Sequence, residues 1–198
     1  MNQFQHNFCI CSYSTPNRNL LQTVTNISKR KYCRLHNLQY EFYELEKFDK
    51  HPAWYKLDFI QTMFDKYDYL YFLDDDAAFC KYDVNFTQFL SLEHDVNLAI
   101  TDGAMNTGSF SIVKNDRTIS SLQYAATLYE KYKDDAFYEQ TALIEAFKHC
   151  NVSINVVDNT LINASICTKT SDTIILHLMG GIKNCLKLSF LERIYDLY

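Results

Sequence analysis

Residues 67–77 read YDYLYFLDDDA, an apolar run of strand length that ends in three consecutive aspartates and then returns to alanine. Aromatic and aliphatic side chains suit a pleated surface that is covered on both faces, so the run predicts a buried strand. Asp74, Asp75 and Asp76 then lie at its carboxyl end, where open α/β sheets bind ligands. Aspartate also terminates strands in solvated turns, so the run by itself leaves both interpretations open.

Segments of strand length alternate with helical patterns along the chain. The predicted strands cover residues 7–13, 40–45, 67–73, 96–101, 108–113, 152–157 and 174–178. Apolar residues at helical spacing predict a first helix with Leu21, Val24, Ile27, Leu35 and Leu38. They predict a second with Trp54, Leu57, Ile60, Phe64 and Tyr67, in which Pro52 takes the first helical position. A third, capped by Asp116, carries Ile119, Leu122, Ala126 and Tyr129, and a fourth covers 138–149. This alternation predicts an α/β fold with a mostly parallel mixed sheet and helices on both faces.

The composition fits one domain over residues 1–198. With 198 residues, of which 47% are hydrophobic, the chain can bury one sizeable core. It has neither an apolar stretch of about 18 residues nor a signal-peptide pattern, so we expect no membrane segment and a cytoplasmic location. Its seven cysteines are scattered without a C-x-x-C pair, which fits reduced thiols. Cys9 and Cys11 share one face of a strand and are expected in the core.

The charge distribution indicates which class of partner the chain binds, and the composition also predicts one long loop. A net charge of −5 without a basic cluster argues against nucleic acid as the main partner, because phosphate contacts need focused Lys and Arg. The dense basic stretch SKRKYCR at 28–34 lies on an amphipathic pattern and is expected to be a solvated helix face. Residues 158–173 are expected to form a long loop.

Glycine usage points to a metal ion. The four glycines, at positions 103, 108, 180 and 181, cannot form a glycine-rich phosphate loop, so bound nucleotide phosphates would need a divalent cation. Carboxylate oxygens suit Mg²⁺ or Mn²⁺. Where a strand gives way to a loop, Asp74 and Asp76 can point to one side, which leaves Asp75 for a sugar hydroxyl or a structural bond.

A third ligand is expected from another strand end. His177 in ILHLMGGIK follows an apolar run, although a lone histidine in such a strand is more often a core residue. Its neighbours favour a ligand, because Gly180 allows close backbone approach and Lys183 supplies a cation. Together these residues describe a clamp for a diphosphate.

Five motifs occur in a definite order: HPAWYK at 51–56, YDYLYFLDDDA at 67–77, NTGSF at 106–110, EQTAL at 139–143 and HLMGGIK at 177–183. In order and spacing they resemble the galactosyl/mannosyltransferase family, glycosyltransferase family 34, over roughly residues 7 to 190. The last motif is also similar to glycosyltransferase family 8, the glycogenin-like group. The resemblance implies a GT-A fold that transfers a hexose from a nucleotide-diphosphate donor, a UDP-sugar, to a glycan or other hydroxyl acceptor with retention of configuration.

The resemblance also implies roles for individual residues. Asp74, Asp76 and His177 would hold Mn²⁺ or Mg²⁺, with Gly180 and Lys183 facing the diphosphate. The segment CSYS at 11–14, with Ser12 and Tyr13, would hold the base and ribose. Lys56 would approach the donor, and Asn106 to Gly108 would line the sugar site.

Two adjacent residues are implied near the anomeric carbon, Gln140 and Glu139. Either is a candidate nucleophile or a candidate stabiliser of an oxocarbenium-like state. Adjacent helical positions are about 100° apart, so if Gln140 faces the donor, Glu139 is expected to turn toward the rim.

Two alternative functions share the acidic motif. Phosphatases of the haloacid dehalogenase type also place Asp-x-Asp at a strand end. Their motif opens the chain and continues with Gly or Val and Thr, whereas here Ala77 and Ala78 follow and other strands come first. A non-catalytic domain that binds a nucleotide sugar or glycan would keep the same metal residues.

Overall fold

The computed structural model describes residues 7–179 of the chain. Its strands are β1 (Phe8–Ser14), β2 (Gln39–Glu44), β3 (Tyr69–Leu73), β4 (Ala77–Phe79), β5 (Val96–Thr101), β6 (Ala104–Val113), β7 (Ile154–Val157) and β8 (Ile175–His177). Its helices are α1 (Asn19–His36), α2 (Tyr55–Met63), α3 (Asp116–Thr127), α4 (Tyr129–Tyr132), α5 (Glu139–His149) and α6 (Asn159–Ile162).

A six-stranded mixed sheet in the order β2-β1-β3-β6-β5-β7 forms the centre of the described part. The pairs β1–β2, β1–β3 and β5–β7 are parallel, whereas β6 runs antiparallel to both β3 and β5. β3 is buried along its whole length, as its apolar sequence predicts. The predicted α/β class and mostly parallel sheet are therefore confirmed. One domain over 1–198 stays a prediction.

Both faces of the sheet are covered. Alternate strand residues such as Phe72 and Phe110 pack with α2, α3 and α5 on one face. The intervening residues, among them Tyr71, pack toward α1, α6 and the β4–β8 pair on the other. Cys9 and Cys11 lie together in the first of these cores, as expected from their spacing.

Several local expectations are corrected by the structure. Asn115, and not Asp116, caps α3, because its side chain accepts the Thr118 N–H while Thr118 bonds back to the Asn115 N–H. Pro52 opens a 3-10 turn that runs into α2, so the proline begins the segment but not the α-helix itself. Leu38 and Tyr67 lie beyond the ends of their helices.

Three elements differ from the sequence pattern through tertiary pairing. The pattern gave no strand after the aspartates, but β4 follows them because it pairs antiparallel with β8, which is distant in sequence. β6 begins at Ala104, four residues before the predicted start, because it forms a hairpin with β5. Asp102 and Gly103 form the turn, with φ of 53° and 81°. The expected loop at 158–173 contains α6.

The basic stretch at 28–34 is not wholly a solvated face, so that expectation is wrong in part. Arg30 and Lys31 are exposed, whereas Ser28 and Lys29 are fully buried against the sheet. Among residues 7–179, no helix has the length and apolar character that crossing a membrane requires. The cytoplasmic location stays a prediction.

Candidate active site

The acidic turn, which we define as residues 74–76, connects β3 to β4 at the carboxyl end of the central strand. The Asp74 N–H donates to the Gly108 carbonyl at 2.7 Å, and the Ala77 N–H donates to the Asp74 carbonyl at 3.1 Å. The turn is therefore fixed to β6 on one side and closed by its own backbone. This places three carboxylates where the strand ends meet.

Asp74, Asp76 and His177 converge, with one ligand atom from each lying within 4.8 Å of the others. His177 Nε2 is 3.2 Å from Asp76 Oδ1 and 3.6 Å from Asp74 Oδ2. The other ring nitrogen, Nδ1, lies 2.9 Å from the Asn163 side-chain oxygen. An Nδ1–H that donates to this oxygen leaves Nε2 free to bind a cation, which is the usual arrangement of metal-binding histidines.

The donor set fits a divalent cation, and Gly108 shows why the site stays open. A Cβ at position 108 would lie 2.1 Å from His177 Cε1 and 2.6 Å from Asp74 Oδ2. No side chain is compatible with this placement, so glycine is required for the two ligands to approach each other. Two carboxylates and an imidazole are ligands suited to Mn²⁺.

Asp75 points away from this group and makes structural bonds. Its carboxylate accepts a hydrogen bond from Ser14 Oγ at 2.5 Å and pairs with Arg18 Nη2 at 2.7 Å. Arg18 also reaches Asp76 Oδ2 at 3.2 Å. Burial, with repulsion from Asp76, raises the pKa of Asp75 to about 6 despite Arg18. Of the two roles predicted for Asp75, the structure shows the structural bond.

Lys56 lies in a buried chain of charges. Its Nζ is 2.6 Å from Glu139 Oε1 and 3.3 Å from Asp74 Oδ1, and it donates to the Thr107 carbonyl at 3.1 Å. Burial alone would lower the pKa of Lys56, but the two carboxylates raise it above its ordinary value. Burial raises the pKa of Glu139. Lys56 thus connects the acidic turn to the start of α5.

Glu139 and Gln140 both face the cavity, which corrects the expectation that one would turn toward the rim. Glu139 is the more buried of the two because it pairs with Lys56. Gln140 Oε1 accepts the Thr107 N–H at 3.0 Å. Both side chains can reach the site because α5 begins at Glu139, where the chain enters from a turn and not along a helix axis.

Tyr138, the residue before α5, has an unusual backbone conformation. Tyr138 has a φ of 47° and a ψ of −121°, a backbone conformation that costs a tyrosine about 1–3 kcal/mol. Its ring stacks on the His51 ring, with centroids 3.8 Å apart and planes 9° apart. This contact ties the segment before Lys56 to the segment before Glu139.

A cavity of about 730 Å³ opens over these groups. Among the predicted residues, those that line it are Tyr13, Lys56, Asp74, Asp75, Asp76, Asn106, Glu139, Gln140 and His177. Ser12 does not line it, because this residue is fully buried and its hydroxyl accepts a hydrogen bond from Lys29. Gly180 and Lys183 lie outside the described residues.

Sequence reasoning missed two polar residues of the site. Arg18 enters the acidic turn from a 3-10 turn after β1, and Asn163 links His177 to Asn106, whose side-chain oxygen it reaches at 2.9 Å. Asn163 lies in the stretch expected to be a loop, where no periodic pattern marks it. Only the folded chain brings it under His177.

The chain is similar to a protein-family model and to several solved structures. Residues 4–96 match the model of the galactosyl transferase GMA12/MNN10 family, glycosyltransferase family 34. A glycosyltransferase involved in glycosylation of the major capsid of PBCV-1 superposes with a TM-score of 0.77 and 17% identity, over 94% of this chain and 99% of that one. The chain has the GT-A glycosyltransferase fold. The family match over residues 4–96 and the shared GT-A fold confirm the resemblance inferred from the motifs, and they support a glycosyltransferase enzyme.

Two further GT-A structures show the same likeness at lower similarity. Galactosyltransferase LgtC, in complex with donor and acceptor sugar analogues, has a TM-score of 0.57 and 13% identity, over 96% of this chain and 94% of that one. A Drosophila β-1,4-galactosyltransferase 7 variant, in complex with manganese, UDP-Gal and xylobiose, has a TM-score of 0.55 and 13% identity, over 88% and 71%. No curated protein sequence matches the chain.

Proposed function

We propose that the chain transfers a hexose from a UDP-sugar to a hydroxyl group of a glycan, with retention of configuration and with Mn²⁺ as cofactor. The observation that carries this proposal is the convergence of Asp74, Asp76 and His177 at a cavity of a GT-A fold. The manganese and UDP-Gal in the Drosophila structure, and the sugar analogues in LgtC, support the choice of donor, metal and acceptor. The GT-A fold argues against the phosphatase alternative.

The residues of the site divide into those that hold the cation and those that hold its ligands in place. Asp74, Asp76 and His177 would hold Mn²⁺, which when bound neutralises diphosphate charge as a Lewis acid. Asn163 orients His177 from behind. We propose that Gly180 and Lys183 add contacts to the diphosphate, as the family motif implies.

Glu139 and Gln140 take different roles in this proposal. The Glu139 carboxylate is buried and pairs with Lys56 at 2.6 Å, so its charge is already compensated. Gln140 is half-buried, lines the cavity and has its amide oxygen fixed by the Thr107 N–H. We therefore assign Gln140 to the sugar face, where its oxygen stabilises developing positive charge at the anomeric carbon. Glu139 holds Lys56, which in turn holds Asp74.

The donor's nucleoside is assigned to the end of β1. Tyr13 and Ser14 line the cavity there, and the Tyr13 hydroxyl donates to the Pro52 carbonyl at 2.9 Å, which fixes the ring. Ser12 lies behind this wall, so we assign the contact to its two successors. Asn106 faces the same cavity and contributes to the sugar site in this proposal.

The test is a panel of nucleotide sugars with Mn²⁺, scored for donor hydrolysis and for transfer to simple glycosides. We expect a UDP-hexose to be hydrolysed slowly without acceptor, and excess EDTA to abolish both hydrolysis and UDP binding. Equal UDP affinity with Mn²⁺ and with EDTA would show that the metal role is wrong. Binding of a nucleotide sugar without hydrolysis or transfer would identify the non-catalytic alternative.

A further inference from the structure

One face of α1 carries polar residues that are buried and directed at the main chain of the acidic turn and β4. Thr25 Oγ1 donates to the Asp75 carbonyl at 2.6 Å, and Lys29 Nζ donates to the Asp74 carbonyl at 2.9 Å. Ser28 Oγ accepts the Phe79 N–H at 3.1 Å. Two carbonyls and one N–H of this short segment are thus held from a single helix.

Lys29 shows that these contacts come at an energetic cost. Its side chain is fully buried, and an ammonium group is expensive to remove from water unless it is compensated. It donates to Ser12 Oγ at 3.0 Å and to the Asp74 carbonyl, neither of which carries a formal charge, and the carboxylates of the acidic turn attract it without contacting it directly. A methionine of similar length would avoid the cost, so packing alone does not explain the lysine.

The acidic turn is held from two sides in different ways. Its carboxylates face the cavity, where Arg18, Lys56 and His177 contact them. The carbonyls of Asp74 and Asp75 face α1, so these bonds do not use the carboxylate oxygens. When the main chain of the turn is held by hydrogen bonds, the direction of its side chains is held as well. Metal ligands depend on such support from residues that do not themselves bind the metal.

We infer that Thr25, Ser28 and Lys29 form a positioning clamp, which sets the acidic turn so that Asp74 and Asp76 present their carboxylates together to the cation. This inference rests on the proposed function, because it assumes that the turn binds a metal. The three residues touch neither donor nor metal. They act through the main chain of the turn.

Two neutral substitutions test the clamp. Thr25→Val keeps the side-chain volume and removes the donor to Asp75, and Ser28→Ala removes the acceptor for Phe79. Lys29 is left unchanged, because loss of its positive charge would by itself strengthen attraction for a cation. The matched control is Ser121→Ala on α3, a buried serine whose hydroxyl donates to Thr118 O at 2.7 Å, as Ser28 donates to Thr25 O at 2.8 Å.

Calorimetric titration with Mn²⁺ alone, followed by UDP, gives the decisive readout, with thermal unfolding of the metal-free proteins alongside. We expect Thr25→Val and Ser28→Ala to weaken Mn²⁺ binding about tenfold or more, in the range known for residues that support metal ligands. Ser121→Ala should bind Mn²⁺ within about twofold of the unchanged protein, while the melting temperature falls by about 2–4 °C, as for Ser28→Ala.

Mn²⁺ affinities within twofold of the unchanged protein in both clamp variants would overturn the inference and leave α1 a purely structural support. If Thr25→Val does not fold, Ser28→Ala decides alone. If the unchanged protein binds Mn²⁺ but then fails to bind UDP, the proposed donor is contradicted, and the comparison of Mn²⁺ affinities among the variants still decides the inference. Failure of the unchanged protein to bind Mn²⁺ would overturn the clamp together with the metal role.

Discussion

Replacement of Gly108 by alanine should remove metal binding while leaving a folded protein. The added Cβ would lie 2.1 Å from His177 Cε1 and 2.9 Å from His177 Nδ1. Carbon atoms pack at about 3.5 Å or more, so the imidazole must move by about 1.4 Å. It cannot move freely, because Asn163 holds its ring and the His177 N–H donates to the Ala164 carbonyl at 2.8 Å.

The expected loss follows from this displacement. Sites of this kind tolerate errors of about 0.5 Å, and a misplacement of about 1 Å costs about a hundredfold. We therefore expect Gly108→Ala to weaken Mn²⁺ binding at least about a hundredfold in a calorimetric titration, with UDP binding lost in parallel. Overpacking of a dense site also costs about 1–3 kcal/mol of unfolding free energy, measured by denaturant titration.

Gly103→Ala provides the control, because alanine is unfavourable at position 103 for a different reason. Its φ of 81° strains any other residue, but an added Cβ there meets nothing within 4 Å. Gly103→Ala should thus lose about 1 kcal/mol of stability and keep Mn²⁺ and UDP affinities within about twofold. If Gly108→Ala binds Mn²⁺ as tightly as Gly103→Ala does, then His177 is not a ligand and the geometric reasoning is wrong.

Three further changes probe the site and the fold. Asp76→Asn should lower turnover at least about a hundredfold in donor-hydrolysis assays, with the metal-free melting temperature nearly unchanged because relief of repulsion within the acidic turn offsets a lost ion pair; matched losses of activity and stability would contradict a metal role. Gln140→Ala should reduce kcat for transfer and leave UDP affinity within about twofold, since the side chain is assigned to the sugar; a lost UDP affinity would refute that assignment. Asp95, which accepts bonds from Asn115, Arg117 and Ser153, has its pKa lowered to about 2. Burial opposes this shift, and the hydrogen bonds outweigh it. Its contribution to stability is complete above the ordinary value of 3.8 and is lost as pH falls through about 2, so the deficit of Asp95→Asn in denaturant titrations should shrink between pH 5 and pH 2; a constant deficit would contradict the shift.

The sequence alone determined the elements whose signals are local. β3 is apolar throughout and ends in aspartates, so its burial and the position of Asp74 and Asp76 at a strand end follow from residue types and period. His177 lies more than 100 residues from the aspartates, and its place at a strand end beside Gly180 and Lys183 predicted it as their partner before the family resemblance implied the same role. Strand and helix types were predicted well because hydrophobic periodicity reports which faces are buried.

The tertiary structure decided what depends on pairing between distant segments. β4 exists because β8 lies beside it. Lys29 is buried because α1 packs over the acidic turn, although Arg30 and Lys31, which follow it, are exposed. Glu139 faces inward because Lys56 meets it there, which no helical angle could predict. Hydrophobic periodicity predicts whether a residue is buried. Which group it packs against depends on contacts between distant segments, and these form only when the chain folds.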